Sequence, residues 1–156
     1  MNQKSIKQHA NTLYESWVSI DRLYEDYAKS VGLSYMSLAV LEIIYENPEN
    51  CTQKFICEQS YYTKQSVNMI IKTFWEQGYV ILKELPTDRR NKLVGLSEKG
   101  QKYADKIIGN LSNININAMD TLTFEQREYM LELLGIYLKS FRAGITDFIN
   151  ENSSLK

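Results

Sequence analysis

Five polar side chains occur at helical spacing in a short segment that is otherwise mostly apolar. They are Lys64, Gln65, Ser66, Asn68 and Lys72. The amides of Gln and Asn can form paired hydrogen bonds with adenine, Lys can reach the acceptors of guanine, and a small Ser permits close approach to a thymine methyl group. The set could therefore recognise bases in duplex DNA, although on an isolated helix such a face is usually only solvated.

The helix that would carry these side chains is predicted to begin after Thr63 and to end at Gly78. The Thr63 hydroxyl can cap the first turn, and glycine suits the position that follows a helix. Thr63 and the free amides of the first turn would also favour a phosphate. The inward face of this helix is predicted to contain Val67, Ile70, Ile71 and Phe74.

A cationic hairpin is predicted directly after this helix. Residues 79–85 and 92–96 are β-prone, and the segment between them has the composition of a turn, with Pro86, Asp88, Arg89 and Arg90. An isolated two-stranded hairpin is marginally stable in water, so a neighbour must cover its apolar face. Helix, turn, helix and charged hairpin together predict a winged-helix arrangement.

Three motifs around the hairpin resemble the MarR family of bacterial transcription regulators. They are Gly78-Tyr79-Val80, Asp88-Arg89-Arg90, and Leu96-Ser97-Glu98-Lys99-Gly100, where the family usually has Leu-Thr-x-x-Gly. The resemblance implies a mainly α fold with a small β-hairpin wing, in which a winged helix-turn-helix lobe is joined to N- and C-terminal dimerisation helices. It also implies a homodimer that binds double-stranded DNA.

The same resemblance implies roles for the wing residues. In the family one arginine of the wing enters the minor groove, where a narrow A·T-rich groove strengthens the negative potential; we assign this contact to Arg89. Asp88 is expected to pair with Arg90 and so shape the tip, while Lys92 touches the DNA backbone. An exposed Asp–Arg pair contributes only about 0–1 kcal/mol to stability. Stability alone therefore gives little reason for three cations to be grouped at the tip of the hairpin.

Heptad-like apolar stripes occur at both ends of the chain, in residues 1–32 and 118–156. They contain Ile6, Ala10, Leu13, Trp17, Ile20, Tyr24 and Tyr27 in the first segment and Leu131, Leu134, Leu138, Phe141, Ile145 and Phe148 in the second. Since helices with such stripes rarely leave them exposed, we expect the two segments to form a dimer interface. Periodicity alone leaves an intramolecular bundle as the alternative.

The winged helix-turn-helix lobe is predicted to span residues 34–100, within a single domain over 1–156. Ser34 and Thr52 can cap the two helices that precede Thr63, and Thr123 with Gln126 forms a capping-box pattern before the last helix. A connecting helix is predicted over 98–117. Its residues 113–117, Asn-Ile-Asn-Ile-Asn, are interpreted as a frayed end or a bend because Asn is a poor helix former.

Composition is that of an ordinary globular protein. There is no run of about 18–20 apolar residues of the kind that spans a membrane and no apolar signal-peptide core, so we expect a cytoplasmic protein with no membrane partner. The net charge of the 156 residues is −1, but residues 52–97 hold seven Lys/Arg and four Asp/Glu, which gives +3. A basic surface of this kind attracts phosphate.

Metal, cofactor and redox chemistry find little support. Cys51, Cys57 and the single His9 are too few for a closed zinc site, and we expect no metal and no cofactor. A carboxylate-rich site at a subunit boundary is the alternative that the sequence leaves open. Cys57 is interpreted as a buried small hydrophobe. Cys51 lies at a helix start, where a thiolate is favoured, so a redox switch is a minor alternative; the peroxide-sensing branch of the resembled family carries its cysteine near the N-terminus, and this chain has none there.

An effector site is predicted where the dimerisation helices meet the lobe. Its candidate residues are Tyr14, Trp17, Tyr24, Tyr35 and Met36. An aromatic crevice with phenolic hydroxyls suits a small aromatic or amphipathic ligand that changes the spacing of the lobes. Core packing is the alternative role for most of these side chains.

These features predict a sequence-specific DNA-binding transcription regulator. The expected form is a ligand-responsive repressor that acts as a homodimer on a near-palindromic operator. The alternative is a winged-helix module that binds protein or antagonises another regulator. An enzyme is disfavoured because the sequence has no glycine-rich phosphate loop and no nucleophile elbow.

Overall fold

The computed structural model describes residues 3–85 and 88–152, with the side chains of residues 5–84 and 92–152. The chain is mainly helical with one β-hairpin, which confirms the predicted fold class. Contacts between residues divide it into two compact units, Met1–Asn110 and Leu111–Lys156. The first unit contains all of the elements that form the predicted winged helix-turn-helix lobe.

The first unit begins with a long helix and continues with three shorter ones. They are α1 (Gln3–Ser30), α2 (Tyr35–Glu46), α3 (Gln53–Ser60) and α4 (Lys64–Glu76). Gly32 has φ +74° and follows α1, as expected of a helix-ending glycine. Ser34, Thr52 and Thr63 each accept a bond from a first-turn amide through the side-chain oxygen, so the three predicted caps are confirmed.

The hairpin consists of β1 (Val80–Leu85) and β2 (Asp88–Leu96), paired antiparallel. Pairing is regular from Val80–Leu96 to Glu84–Lys92 and then jumps to Leu85–Asp88. An advance of one residue along β1 therefore corresponds to four residues along β2, and residues 89–91, which have no partner on β1, form a bulge. The predicted turn over 86–91 was too long, because the backbone of 88–91 belongs to the second strand.

A continuous helical segment follows the hairpin. It consists of α5 (Glu98–Ala104), a π-helical turn (Asp105–Gly109) and α6 (Asn110–Asp120). The Tyr27 hydroxyl donates to the Ile107 carbonyl in the π turn at 2.7 Å. The interpretation of 113–117 as a frayed end or bend was wrong: propensity is a weak prior, and these residues continue the α-helix to Asp120.

The core of the first unit lies among α2, α3, α4 and the hairpin. Its largest fully enclosed side chains include Leu38, Leu41, Ile44, Ile56, Val67, Phe74, Val80 and Val94. Of the predicted inward residues of α4, Val67 and Phe74 are in this set, Ile71 is also buried, and Ile70 is half-buried. The polar face of α4 is consequently turned outward.

The second unit ends with one long helix, α7 (Phe124–Asn152). The predicted capping box is present at its start: the Thr123 amide donates to Gln126 Oε1 at 2.9 Å and the Gln126 amide donates to Thr123 Oγ1 at 3.3 Å. None of the described residues of α7 is buried. Leu131, Leu138, Phe141, Ile145 and Phe148 of the predicted stripe are all exposed.

Candidate nucleic-acid interface

Helix α4 is oriented by its cap and its apolar side. The Ser66 amide donates to Thr63 Oγ1 at 3.2 Å, which fixes the first turn. Val67, Ile71 and Phe74 are buried at 0%, 6% and 2% exposure. Because a helix repeats every 3.6 residues, burial of this side presents the opposite side to solvent.

The structure places the predicted polar set on that outward side. Lys64, Gln65, Asn68 and Lys72 are exposed, and we call these four residues the polar face of α4. Ser66 is half-buried, and its Oγ lies 2.9 Å from Thr63 Oγ1, so it belongs to the cap rather than to the centre of the face. Lys72 Nζ is 3.7 Å from Glu76 Oε1, an exposed pair of little energetic weight that leaves the ammonium group accessible.

The turn between α3 and α4 contains a residue that sequence reasoning missed. Tyr61 has φ +57°, an uncommon left-handed conformation for a non-glycine residue, and its side chain is 94% exposed. Across this turn Gln53 Nε2 donates to the Lys64 carbonyl at 3.3 Å, so α3 also positions the start of α4. No local sequence signal marks Tyr61, because Tyr has no preference for this conformation.

The base of the hairpin is tied to the end of α4 through Ser97. Its Oγ donates to the Gly78 carbonyl at 2.6 Å and accepts from the Gly100 amide at 2.9 Å. Its own amide donates to the Tyr79 carbonyl at 2.9 Å. One residue therefore caps α5 and joins both ends of the hairpin to the exit of α4.

Gly100 allows this close approach. A Cβ atom at residue 100 would lie 1.8 Å from the Tyr79 carbonyl oxygen, inside any permitted contact. Beside it the Tyr79 and Tyr103 rings stack at 4.1 Å between centroids, and Lys99 Nζ is 4.7 Å from the Tyr79 ring and 2.7 Å from the Gln77 carbonyl. The segment 96–100 thus fixes where the hairpin leaves α4.

The second strand of the hairpin also contacts the start of α3. The Val94 amide donates to the Cys51 carbonyl at 2.7 Å, and Thr52 forms a β-bridge with Leu93. Val94 is 1% exposed. The hairpin is therefore held on two sides, by the residue that caps α3 and by the segment that follows α4.

The predicted wing-tip side chains lie mainly outside the described residues. The backbone of Asp88, Arg89 and Arg90 is part of β2 and its bulge, but the positions of their side chains are not described. Lys92 is exposed and faces Glu84 across the strand pair. The contacts assigned to Arg89, Arg90 and Lys92 stay predictions.

Comparison with known proteins agrees with this geometry. A MarR family model matches residues 31–91, which include α2, α3, α4 and β1. The regulator SarZ of Staphylococcus epidermidis is 27% identical over 135 residues, which are 86% of this chain and 90% of SarZ. The resemblance to the MarR family of transcription regulators that the sequence predicted is therefore confirmed.

Solved structures show the same fold. A MarR family regulator from Neisseria meningitidis has a TM-score of 0.72 at 24% identity, with 94% of this chain and 99% of that one covered. MepR of Staphylococcus aureus, solved in complex with DNA, has a TM-score of 0.66 at 16% identity, with 85% and 97% covered. The similarity extends well beyond the matched lobe.

Two of the candidate effector residues lie in contact. The rings of Tyr24 and Tyr35 meet edge to face at 6.5 Å between centroids. Burial raises the pKa of both phenols, and nearby Glu42 adds to the rise for Tyr24. Trp17 and Met36 are half-buried and Tyr14 is exposed. The structure brings Tyr24 and Tyr35 together and leaves the effector site as a prediction.

The structure differs from the sequence-based interpretation at both cysteines. Cys51 is 0% exposed and burial raises the pKa of its thiol to about 11, so it is protonated at neutral pH. Cys57, predicted to be buried, is half-exposed. The sequence signal failed because Cys51 precedes the cap Thr52 and is covered through its long-range pairing with β2, which a local helix-start argument cannot detect.

Within the described residues, no three His, Cys, Asp or Glu side chains are grouped as a metal site would require. Over the same part of the chain, no helix is both long and apolar enough to cross a bilayer.

Proposed function

We propose that this protein is a MarR-type homodimeric repressor that binds a near-palindromic operator and releases it on binding a small effector. The observation that carries the proposal is the polar face of α4, turned outward directly beside a hairpin that is fixed at both sides of its base. A helix with Gln, Asn and Lys on one face can dock in the major groove and read base edges.

The charge distribution supports binding to phosphate. Lys64, Lys72 and Lys92 are exposed, and residues 52–97 carry +3 in a chain whose net charge is −1. Such contacts release counterions, so the affinity should fall steeply with salt. MepR, which shares the fold, has been solved with DNA bound. By the same arrangement we expect Arg89 to enter the minor groove, with Asp88 and Arg90 shaping the tip.

The exposed apolar helices support a dimer. On α1, Ile6 and Ile20 are about half exposed, and on α7 every described residue is at least partly accessible. Exposed apolar surface on this scale marks an interaction site. Two lobes held by a symmetric dimer would read half-sites one helical turn apart, about 34–36 Å.

Effector response is assigned to the region of Tyr24 and Tyr35. Two phenol rings in contact offer aromatic surface and hydroxyl donors to a small aromatic or amphipathic molecule. Trp17 and Met36, both half-buried, are the further candidates for this site. A ligand that binds one arrangement of the lobes more tightly than the other shifts the population between them. Such a regulator acts in the cytoplasm, in contact with the chromosome.

The deciding experiment is selection of bound sequences from random duplex DNA, followed by a salt titration on the selected operator. We expect a symmetric motif and a steep loss of affinity with salt. Gln65→Ala should cost about 1–3 kcal/mol at particular base pairs and relax specificity there. Arg89→Ala should weaken binding broadly or at A·T-rich flanks. Equal affinity of the wild type and both variants across the operator library would refute this docking.

A protein-interaction module is the second candidate. It is favoured by the same exposed apolar surface on α7, which a different protein could cover instead of a second copy. Failure to select any duplex at low salt, together with a stable complex with another protein, would establish this alternative.

A further inference from the structure

One large apolar side chain lies on the outward side of α4, at the edge of the polar face. Met69 is 64% exposed, and it is the sixth of the thirteen residues of Lys64–Glu76. At 3.6 residues per turn it lies about 40° around the helix axis from Gln65 and about 60° from Lys72. The side chain therefore shares the surface on which the base-contacting residues were predicted.

Packing does not account for this methionine. The buried side of α4 is formed by Val67, Ile71 and Phe74, with Ile70 half-buried, and Met69 points away from that side. Its carbonyl accepts a bond from Thr73 Oγ1 at 3.0 Å, which concerns the backbone and leaves the side chain unconstrained by that bond. Burial on binding would remove an apolar group from water, which is favourable.

We propose that Met69 determines specificity by contacting a thymine methyl group in each half-site. This inference rests on the proposed function. In the major groove only thymine presents a methyl group, and an apolar side chain is its natural contact. Gln65 or Asn68 can take the adenine of the same or a neighbouring pair, so the three residues together favour an A·T step. Met is flexible enough to adapt to the groove.

Trp75 is the other exposed apolar residue of α4, at 55%, but it is less well placed. It is the next-to-last residue of the helix, and the N-terminal part of a recognition helix is the part that contacts bases. Met69 lies in the first half, one turn after Gln65 and one turn before Lys72 or Thr73. The assignment therefore goes to Met69.

The test replaces each thymine of the selected operator, in both half-sites, by deoxyuridine, which removes only the methyl group. At one symmetric position the wild type should lose about fourfold in affinity per half-site, the equivalent of one methyl group no longer buried. Met69→Ala should bind the thymine and deoxyuridine operators equally, whereas Met69→Leu should keep the preference for thymine. Unchanged thermal unfolding would show that both variants fold.

Gln65→Ala is the matched control from the same face. It should bind more weakly but keep the wild-type response to deoxyuridine, because the methyl contact remains. If the wild type binds the operator and no thymine shows a methyl effect that Met69→Ala abolishes, the inference is overturned while the proposed function stands. If no duplex is bound at low salt, the proposed function fails and the inference fails with it.

Discussion

At the scale of single residues, the two cysteines lie only six positions apart but differ in their exposure to solvent. Cys51 is fully enclosed where its carbonyl pairs with β2, while Cys57 is half-exposed on α3. Burial disfavours the charged thiolate of Cys51 and raises its pKa to about 11. A neutral, inaccessible thiol neither attacks nor becomes oxidised readily.

Thiol labelling should separate the two residues. At pH 7.5 iodoacetamide should alkylate Cys57 and leave Cys51 unmodified in the folded protein, and both should react in urea; peptide mass spectrometry would locate the label. The raised pKa means that the unfolded chain loses this proton more easily than the folded one. The stability contribution is therefore complete below about pH 8.5 and is lost as pH rises toward 11. Rapid labelling of Cys51 without unfolding would contradict this burial.

At the scale of elements, the segment 96–100 determines how the hairpin meets α4. Ser97 bonds to the Gly78 carbonyl and the Gly100 amide, and the Gly100 position has no room for a side chain beside Tyr79. This explains the Leu-Ser-x-x-Gly motif physically: a small capping hydroxyl and a glycine are both required for α5 to pass the Tyr79 backbone. The motif is structural, and it supports the interface indirectly.

Gly100→Ala should lower the free energy of unfolding by about 1–3 kcal/mol, because a methyl group must displace backbone at an overpacked contact. Urea unfolding monitored by circular dichroism measures the change. Gly109→Ala in the π turn is the matched control, since nothing lies within 4 Å of its Cβ position; it should be neutral or raise stability by up to about 1 kcal/mol. Equal effects of the two substitutions would contradict the close approach at Tyr79.

The sequence predictions succeeded where the interacting residues are close in the sequence and failed where they are far apart. Ser34, Thr52, Thr63 and the Thr123–Gln126 box were predictable because a cap depends on residues three positions apart. Residues 113–117 were misjudged because the Asn-rich composition was weighed without the helix that continues through them. The predicted turn of the wing was too long because the register of the two strands, and with it the bulge at residues 89–91, cannot be read from local composition. Met69 was overlooked because only polar side chains were considered as candidates for base contacts.

At the scale of the whole molecule, the apolar surface of α7 is unfavourable for a single chain in water, because nothing in the described residues covers it. Five of the six residues of the predicted stripe are each at least two-fifths exposed: Leu131, Leu138, Phe141, Ile145 and Phe148. A second copy with the same stripe would cover this surface.

Leu138→Glu should convert the proposed dimer to a monomer at micromolar concentration, because a carboxylate would be buried without a partner. Sedimentation velocity measures the change, and operator affinity should fall with it since two half-sites are no longer bound together. Ser140→Glu introduces the same charge about 200° around the helix from Leu138 and should leave the dimer intact. A wild type that sediments as a monomer at all concentrations would overturn the dimer.

The bond from the Val94 amide to the Cys51 carbonyl joins residues 43 positions apart and closes a loop that contains α3 and α4. Closing such a loop costs chain entropy that the intervening helices must offset. In native-state hydrogen exchange, the Val94 amide should therefore exchange with the same opening free energy and denaturant dependence as the Ile71 amide. Local melting would then remove the hairpin and the recognition helix as one cooperative unit.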